Sequence, residues 1–381
     1  MTFAFVSCYL SVHQVPICEE LYRRLGEGFH YISVDRIPAW RLNSGYRDLD
    51  LDYPFVIRAY EDEKKALAIA ENCDVLMIGS APDKYIKNRL SKNKLTIRCS
   101  ERLYKNGVNA KLFPRAVGSA LLRYHRYINK RLYMLCASAY TAVDCIRFGC
   151  YKGKMFKWGY FPETIEYDYN FLLNQKKHGA VNILWVGRLI DWKHPEMAIE
   201  AADYLRKKRI SFQMTIVGTG EMTTTIAEAI MQKDLDDAVH LIGAIPVSEV
   251  RHYMEKANIF LFTSDRREGW GAVVNEAMNS GCAVIGCDAA GSVPFLIHDG
   301  VNGLTFHAGD QAKLNMNIEK VVTRPELCRA LGQNAYCTIT NEWNAKIAVE
   351  RLLELIRNDM KSPEAFVDGP CSVASIIYDR K

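Results

Sequence analysis

The chain has 381 residues, enough for two domains and too many for one ordinary core. Its 49% hydrophobic and 24% charged residues are those of a soluble globular protein, and no run approaches the roughly 20 apolar residues that span a bilayer. The net charge of +5 hides an asymmetry: Lys84 to Lys157 carries 18 Lys and Arg against Glu101 and Asp144 alone, and the remainder is acidic.

The first residues, MTFAFVSCYLSVHQ, read as a buried strand and lack a basic leader with a small-residue cleavage site. A cytoplasmic location is therefore expected. FAFVSC (3–8) leads into a helix near PICEELYRRLG (16–26). Strands follow at 29–34, 54–59 and 74–80, with a helix over 61–73 between the last two. LTIRCS (95–100), LYMLCAS (132–138) and KMFKWG (154–159) complete the first half. The segment 166–180 has weak periodicity and reads as a linker. Beyond it, strands are expected at 181–187, 213–218, 239–243, 258–264 and 282–287. Helical segments at 194–208 and 248–257 lie between them, and AKIAVERLLELIRNDM near 345–359 is an amphipathic helix. The last twenty or so residues carry no assignment.

Continuous apolar strands alternating with helices imply a parallel sheet covered on both faces. The expected class is α/β, with two Rossmann-like domains facing across a cleft and ligands at the carboxyl ends of the strands. The expected boundaries are 1–165, a linker at 166–180, a second domain over 181–343, and a helix and tail over 344–381 that cross back to the first domain. The twelve cysteines are scattered and form no CxxC pair, so buried thiols are favoured over zinc or disulfides.

Chemistry concentrates in the second half. VGRLIDWKHPE (186–196) joins a strand to a helix, and Gly187, Arg188 and Lys193 lie in its loop. An Arg fork and a Lys point charge in one loop suit a diphosphate; two solvated surface cations are the alternative. VGTGE (217–221) follows the next strand, and Gly218 and Gly220 would let a ligand approach the backbone, unless they serve a plain turn. In SDRREGWGAVVNEAM (264–278), Gly269, Trp270 and Gly271 feed a helix N-terminus whose free N–H groups bind anions. Glu268 can accept hydrogen bonds from sugar hydroxyls, and Glu276 from a ribose; a capping acid and an exposed helical acid are the alternatives. Arg266 and Arg267 could select an acidic or acetylated group.

The order GR-x4-K, a GxG turn, E-x7-E around GWG, then G-SVP, DG and NGL resembles the donor-binding domain of retaining GT-B glycosyltransferases of family 4 over roughly 181–345. That resemblance implies that Arg188 and Lys193 hold the donor diphosphate, Glu268 the transferred sugar and Glu276 the ribose. It also implies that backbone at Ala244 and Ile245 flanks the base. Arg188, Lys193 and Glu268 would then be the catalytic groups. One departure is Phe295, where relatives often carry an acid in Gly-Gly-x-x-Glu.

YLSVHQVPICEELYRRLG (9–26) resembles bacterial polysaccharide-assembly members and puts His13 and Gln14 near donor or acceptor. Glu101 is either an acceptor contact or a salt-bridge partner. The implied reaction moves a sugar from a nucleoside diphosphate sugar to a saccharide or lipid-linked hydroxyl, with no metal and no other cofactor. For the basic 84–157 segment, docking on an anionic membrane is favoured over nucleic acid, since no recognition motif accompanies the charge. A nucleic-acid-modifying protein and a sugar-nucleotide epimerase are the rival functions.

Overall fold

Five consecutive buried residues, Phe3–Ser7, begin the chain as β1. A strand buried on both faces needs a parallel sheet sandwiched between helices. The structure, a computed structural model, describes residues 1–43, 47–105, 114, 115, 118, 125–176 and 179–378. It divides into a unit of Met1–Glu163 with Ala345–Tyr378, and a unit of Thr164–Asn344.

In the first unit, β1 is joined by β2 (Phe29–Ser33), β3 (Val56–Arg58), β4 (Val75–Ile78), β5 (Thr96–Ser100), β6 (Leu132–Cys136) and β7 (Met155–Lys157). Among the described residues they form one sheet in the order β3-β2-β1-β4-β5-β6-β7. Phe3 pairs with Phe29 on one side and Val75 on the other, all parallel. The chain order therefore reverses direction between β1 and β4, and the loop after β1 lies at that switch point. Pro16 opens the Val15–Leu25 helix there. The amphipathic Ala345–Arg357 helix packs on it.

The unassigned tail has a definite role. Cys371 N donates to Lys157 O at 2.8 Å, Lys157 N to Ser372 O at 2.8 Å and Ala374 N to Met155 O at 3.0 Å. The tail thus covers the open edge of β7, which would otherwise expose unpaired backbone.

The basic segment is less of a surface than its composition implies. Part of it, 106–113 and most of 114–124, lies outside the described residues. Arg89 is fully buried, and its guanidinium donates to the carbonyls of Ala70, Glu71, Cys73, Asp74 and Leu95. Arg98 is buried and bonds Asp83 at 2.9 Å, and buried Arg102 meets Asp144 at 3.4 Å. These three cations neutralise interior carbonyls and carboxylates, because a buried charge must be paired or solvated by the protein.

In the second unit, β8 (Val181–Val186), β9 (Phe212–Val217), β10 (Val239–Gly243), β11 (Ile259–Phe262), β12 (Ala283–Cys287) and β13 (Leu304–Phe306) form a parallel sheet. Its order among the described residues is β10-β9-β8-β11-β12-β13. The core gathers Ile183, Trp185, Ile216, Leu261 and Ile285 under the Pro195–Lys207 and Gln311–Val322 helices. The segment expected as a linker contains a helix, Tyr169–Gln175, with Leu172 buried. Two parallel Rossmann-like sheets are thus what the chain builds. Among the described residues, no helix is long and apolar enough to cross a membrane. All twelve cysteines are free thiols, nine of them buried.

Candidate functional site

In the second sheet the chain runs outward from β8 through β9 and β10, then restarts at β11 on the other side. The loops after β8 and β11 therefore flank the switch point, where open α/β sheets hold ligands. The first carries Gly187, Arg188 and Lys193; the second carries Glu268 and the Gly-Trp-Gly turn.

The structure brings Lys193 and Glu268 together. Lys193 Nζ lies 2.5 Å from Glu268 Oε2, with only 15% and 18% of the two side chains exposed. Behind them, Trp185 Nε1 donates to Thr263 Oγ1 at 2.9 Å, and that hydroxyl donates to the Lys193 carbonyl at 2.6 Å. Trp185 of β8 and Thr263 just after β11 thus fix the lysine from its main chain. Arg188 is exposed, and its guanidinium lies 5.5 Å from the centre of the Trp192 ring. Among the described residues it makes no ion pair, so its charge faces solvent from the same loop as Lys193.

The glycines at 218 and 220 receive another stretch of the chain's own backbone. A Cβ on Gly218 would fall 1.9 Å from the Gly187 carbonyl oxygen, and one on Gly220 would fall 2.3 Å from that of Leu189. Their bare backbones admit the β8 loop. Gly187 N donates to Val217 O and Leu189 N to Thr219 O, both at 3.0 Å. The pair of glycines sets the position of Gly187 and Arg188 by direct backbone contact.

Trp270, expected with its glycine neighbours to offer backbone N–H groups to the donor, has a fully buried side chain. Its indole N–H donates to Asn275 Oδ1 at 2.9 Å, and its ring packs 5.9 Å from Trp343 and 6.3 Å from Phe295. The side chain is a pillar under the turn and leaves donor binding there to the backbone. Phe295 completes the cluster, stacked 5.9 Å from Trp343, where an acid would lack any partner of this kind. Gly269 and Gly271 are buried on either side of it. Gly271 has φ +92 and sits against the Phe262 ring, 2.4 Å from where a Cβ would lie. Glu268 does not cap the Val273–Asn279 helix, whose N-cap, Ala272, has no side-chain bond. Glu276 is half-buried in that helix, and burial pushes its carboxyl up against the opposing field of Arg251. Ala244 is exposed and Ile245 half-buried in the loop after β10.

Sequence reasoning missed the charged frame around the cations. Asp265 N donates to Trp192 O at 2.9 Å. Arg267 bonds Asp265 at 2.8 Å and Asp191 at 2.7 Å, so it braces two loops and is not available to select a substrate group. His194 meets Glu196 through Nδ1 at 2.8 Å and Asp265 through Nε2 at 3.3 Å. Those two hydrogen bonds raise its pKa to about 9. Burial would raise the Asp265 carboxyl, but hydrogen bonds from His194 and Arg267 hold it well below the usual range. The alternating charges of DWKHPE and SDRRE were the available signal.

In the other unit, His13 and Gln14 follow β1 at its switch point. Burial, with Arg41 nearby, lowers the His13 pKa to about 4, and its ring stacks 6.3 Å from Tyr160. Gln14 Oε1 accepts from Ser11 N at 3.2 Å and Tyr31 OH at 3.1 Å, an internal brace for the loop. Glu101 accepts from Tyr160 OH at 2.6 Å and pairs with Lys105, which is the salt-bridge alternative. Among the described residues, no group of three or more His, Cys, Asp or Glu stands together as metal ligands would.

Residues 173–338 match the family model described as "Glycosyl transferases group 1". The chain is 30% identical over 218 residues to the amylovoran biosynthesis glycosyltransferase AmsK of Erwinia amylovora, covering 55% of this chain and 52% of that protein. It is 24% identical over 226 residues to the capsular polysaccharide biosynthesis glycosyltransferase CapM of Staphylococcus aureus, covering 58% and 57%. The matched region thus spans about half the length of these relatives. By structure, the chain is similar to Anabaena HepE crystallised in complex with UDP: TM-score 0.69 and 14% identity over 94% of this chain and 100% of that one. That likeness is one of fold.

Proposed function

We propose that this chain is a group 1 glycosyl transferase of GT-B architecture and moves a sugar from a nucleoside diphosphate sugar to a hydroxyl of a saccharide or lipid-linked acceptor. Retention at the anomeric carbon and a place in surface-polysaccharide assembly are part of the proposal. The names of AmsK and CapM support the latter. The observation that carries the reading is the Lys193–Glu268 pair at the switch point, with the exposed Arg188 on the same loop.

The chemistry follows from charge. Breaking the anomeric bond sends an electron pair onto the diphosphate, which gathers negative charge as the sugar leaves. Arg188 can bind its oxygens in a fork and Lys193 as a point charge. Both are in place before the reaction, so little reorganisation opposes their response to the developing charge; such a group is typically worth about 3–4 kcal/mol. Glu268 holds the Lys193 ammonium ready without ligand. When a phosphate takes that ammonium, the carboxylate is released to accept from sugar hydroxyls. Glu276 is the candidate for the ribose, and Ala244 and Ile245 for the base. The departing phosphate oxygen takes the proton of the attacking hydroxyl, so no protein nucleophile is invoked. The two cations supply the positive charge, and the proposal needs neither metal nor cofactor. His13, Gln14 and Glu101 are proposed only as acceptor- or donor-side contacts, since each already has an internal partner or environment.

The test is release of nucleoside diphosphate from a panel of nucleotide sugars with saccharide and lipid-linked acceptors. Acceptor-dependent release supports transfer. Isomerisation of the donor without acceptor would replace it with the epimerase reading. Docking of the exposed part of the basic segment on a membrane is a separate proposal, checked by salt-sensitive sedimentation with anionic vesicles.

A further inference from the structure

We propose that His194, held as an imidazolium between Asp265 and Glu196, is a positioning residue that orders Lys193 and Arg188 for their charge. This rests on the function proposed above for those two cations.

Both ring nitrogens of His194 face carboxylates: Nδ1 meets Glu196 at 2.8 Å and Nε2 meets Asp265 at 3.3 Å. A carboxylate only accepts, so both nitrogens must donate, which only the imidazolium does. The residue also sits in the left-handed region, φ 49 and ψ 53, the end of one short turn and the start of the Pro195–Lys207 helix. That conformation costs a residue with a Cβ more than a glycine, so the contacts of the ring help to hold it. Those contacts are with the two acids.

From His194 the bonding spreads to both cations. Lys193 is its chain neighbour, and the Lys193 carbonyl accepts from Thr263 while its ammonium meets Glu268. On the other side, Asp265 is shared with Arg267, and Arg267 also binds Asp191. The Arg267 guanidinium lies 5.6 Å from the Trp192 ring centre and that of Arg188 lies 5.5 Å from it. One indole therefore serves two guanidinium groups, and the Asp265 backbone N–H holds Trp192 through its carbonyl at 2.9 Å. The chain Asp191, Arg267, Asp265, His194, Glu196 ties the β8 loop to the β11 loop across the switch point.

The groups acting on His194 are Glu196 from its own helix, Asp265 from the β11 loop, and Lys193 next to it. Arg267, Asp191 and Glu268 act through those. The two hydrogen-bonded carboxylates outweigh burial and raise its pKa to about 9. Because the folded value lies above the ordinary 6.5, the stabilising contribution is full below pH 6.5 and is lost as pH rises through about 9. Deprotonation takes away the donor to one of the two acids and breaks one link of the chain, so the frame loosens above that pH.

The test uses the full chain and two variants that suit a left-handed backbone, His194→Gly and His194→Asn. Hydrogen exchange of peptides covering 188–194 reports the loop without requiring activity. His194→Gly should exchange about tenfold faster there at pH 7, and wild type should approach it above about pH 9. With UDP-, GDP- and ADP-sugars as donors, kcat should fall about tenfold to a hundredfold in His194→Gly, with donor KM changed less and the alkaline limb near pH 9 abolished. His194→Asn, which keeps one donor, should lie between. Exchange and kcat within about twofold of wild type would overturn the proposal. If no donor is turned over, the exchange result still decides the role of His194, and it is the transfer reading that falls.

Discussion

Replacing Gly218 by alanine tests how the two glycine-bearing loops hold the cations. The backbone there has φ +134, a region that residues with a Cβ rarely adopt. The new Cβ would lie 1.9 Å from the Gly187 carbonyl oxygen and 2.9 Å from its carbon. Neither is a flexible side-chain end, so main chain must move. Backbone strain of about 1–3 kcal/mol and overpacking of about 1–3 kcal/mol together give about 2–6 kcal/mol. At about 2–4 °C per kcal/mol for a domain of this size, Tm should drop by at least about 4 °C. To reach ordinary contact the Gly187–Arg188 segment must shift by about 1 Å or more, and a misplacement of that size costs about a hundredfold in rate. Thermal unfolding by circular dichroism and acceptor-dependent release of nucleoside diphosphate read the two effects. A variant with Tm within about 1 °C of wild type and unaltered transfer would refute the contact on which this reasoning rests.

Other residues give sharper separations of role. Arg188→Ala should lower kcat by about 10²–10³ with Tm nearly unchanged, because its guanidinium is exposed and without an ion pair among the described residues; steady-state kinetics beside thermal unfolding check it. Arg89→Ala should cost about 3–5 kcal/mol in urea denaturation, since five carbonyls lose their shared donor. His13 is neutral when folded, with a pKa near 4 against 6.5, so its contribution is full above pH 6.5 and declines as pH falls toward 4. His13→Asn should therefore lose less stability than wild type between those pH values, measured as the urea midpoint.

The strands of the second sheet were legible because VNILWVG, NIFLFTS and CAVIGC are continuous apolar runs, the mark of strands covered on both faces. β13, three residues long, is too brief to show such a run. The Pro325–Asn341 helix escaped for a different reason: polar residues are interleaved along most of its length, and its burial comes from packing beside the Val273–Asn279 helix and β12. Lys193 and Glu268 were legible as a charge type at a strand end, but their mutual contact was not, because the loops are 75 residues apart. The packing role of the Trp270 side chain was not legible, because the turn folds it against Trp343, far along the chain. Counting charge along 84–157 likewise misses what the fold does with some of it. A count treats each arginine as solvated, and Arg89, Arg98 and Arg102 point inward to partners that only the fold supplies. His194 gave no signal alone; its meaning comes from Asp265, which the topology places beside it.

The most direct measurement is calorimetric titration of the chain with a nucleoside, its monophosphate and its diphosphate, repeated across the common bases. For the base that suits this protein, affinity should rise steeply at the second phosphate, and that step should vanish when Arg188 and Lys193 are both replaced by alanine. A nucleoside that binds as tightly as its diphosphate, or a doubly substituted chain that keeps the step, would contradict the assignment of those cations to the leaving group.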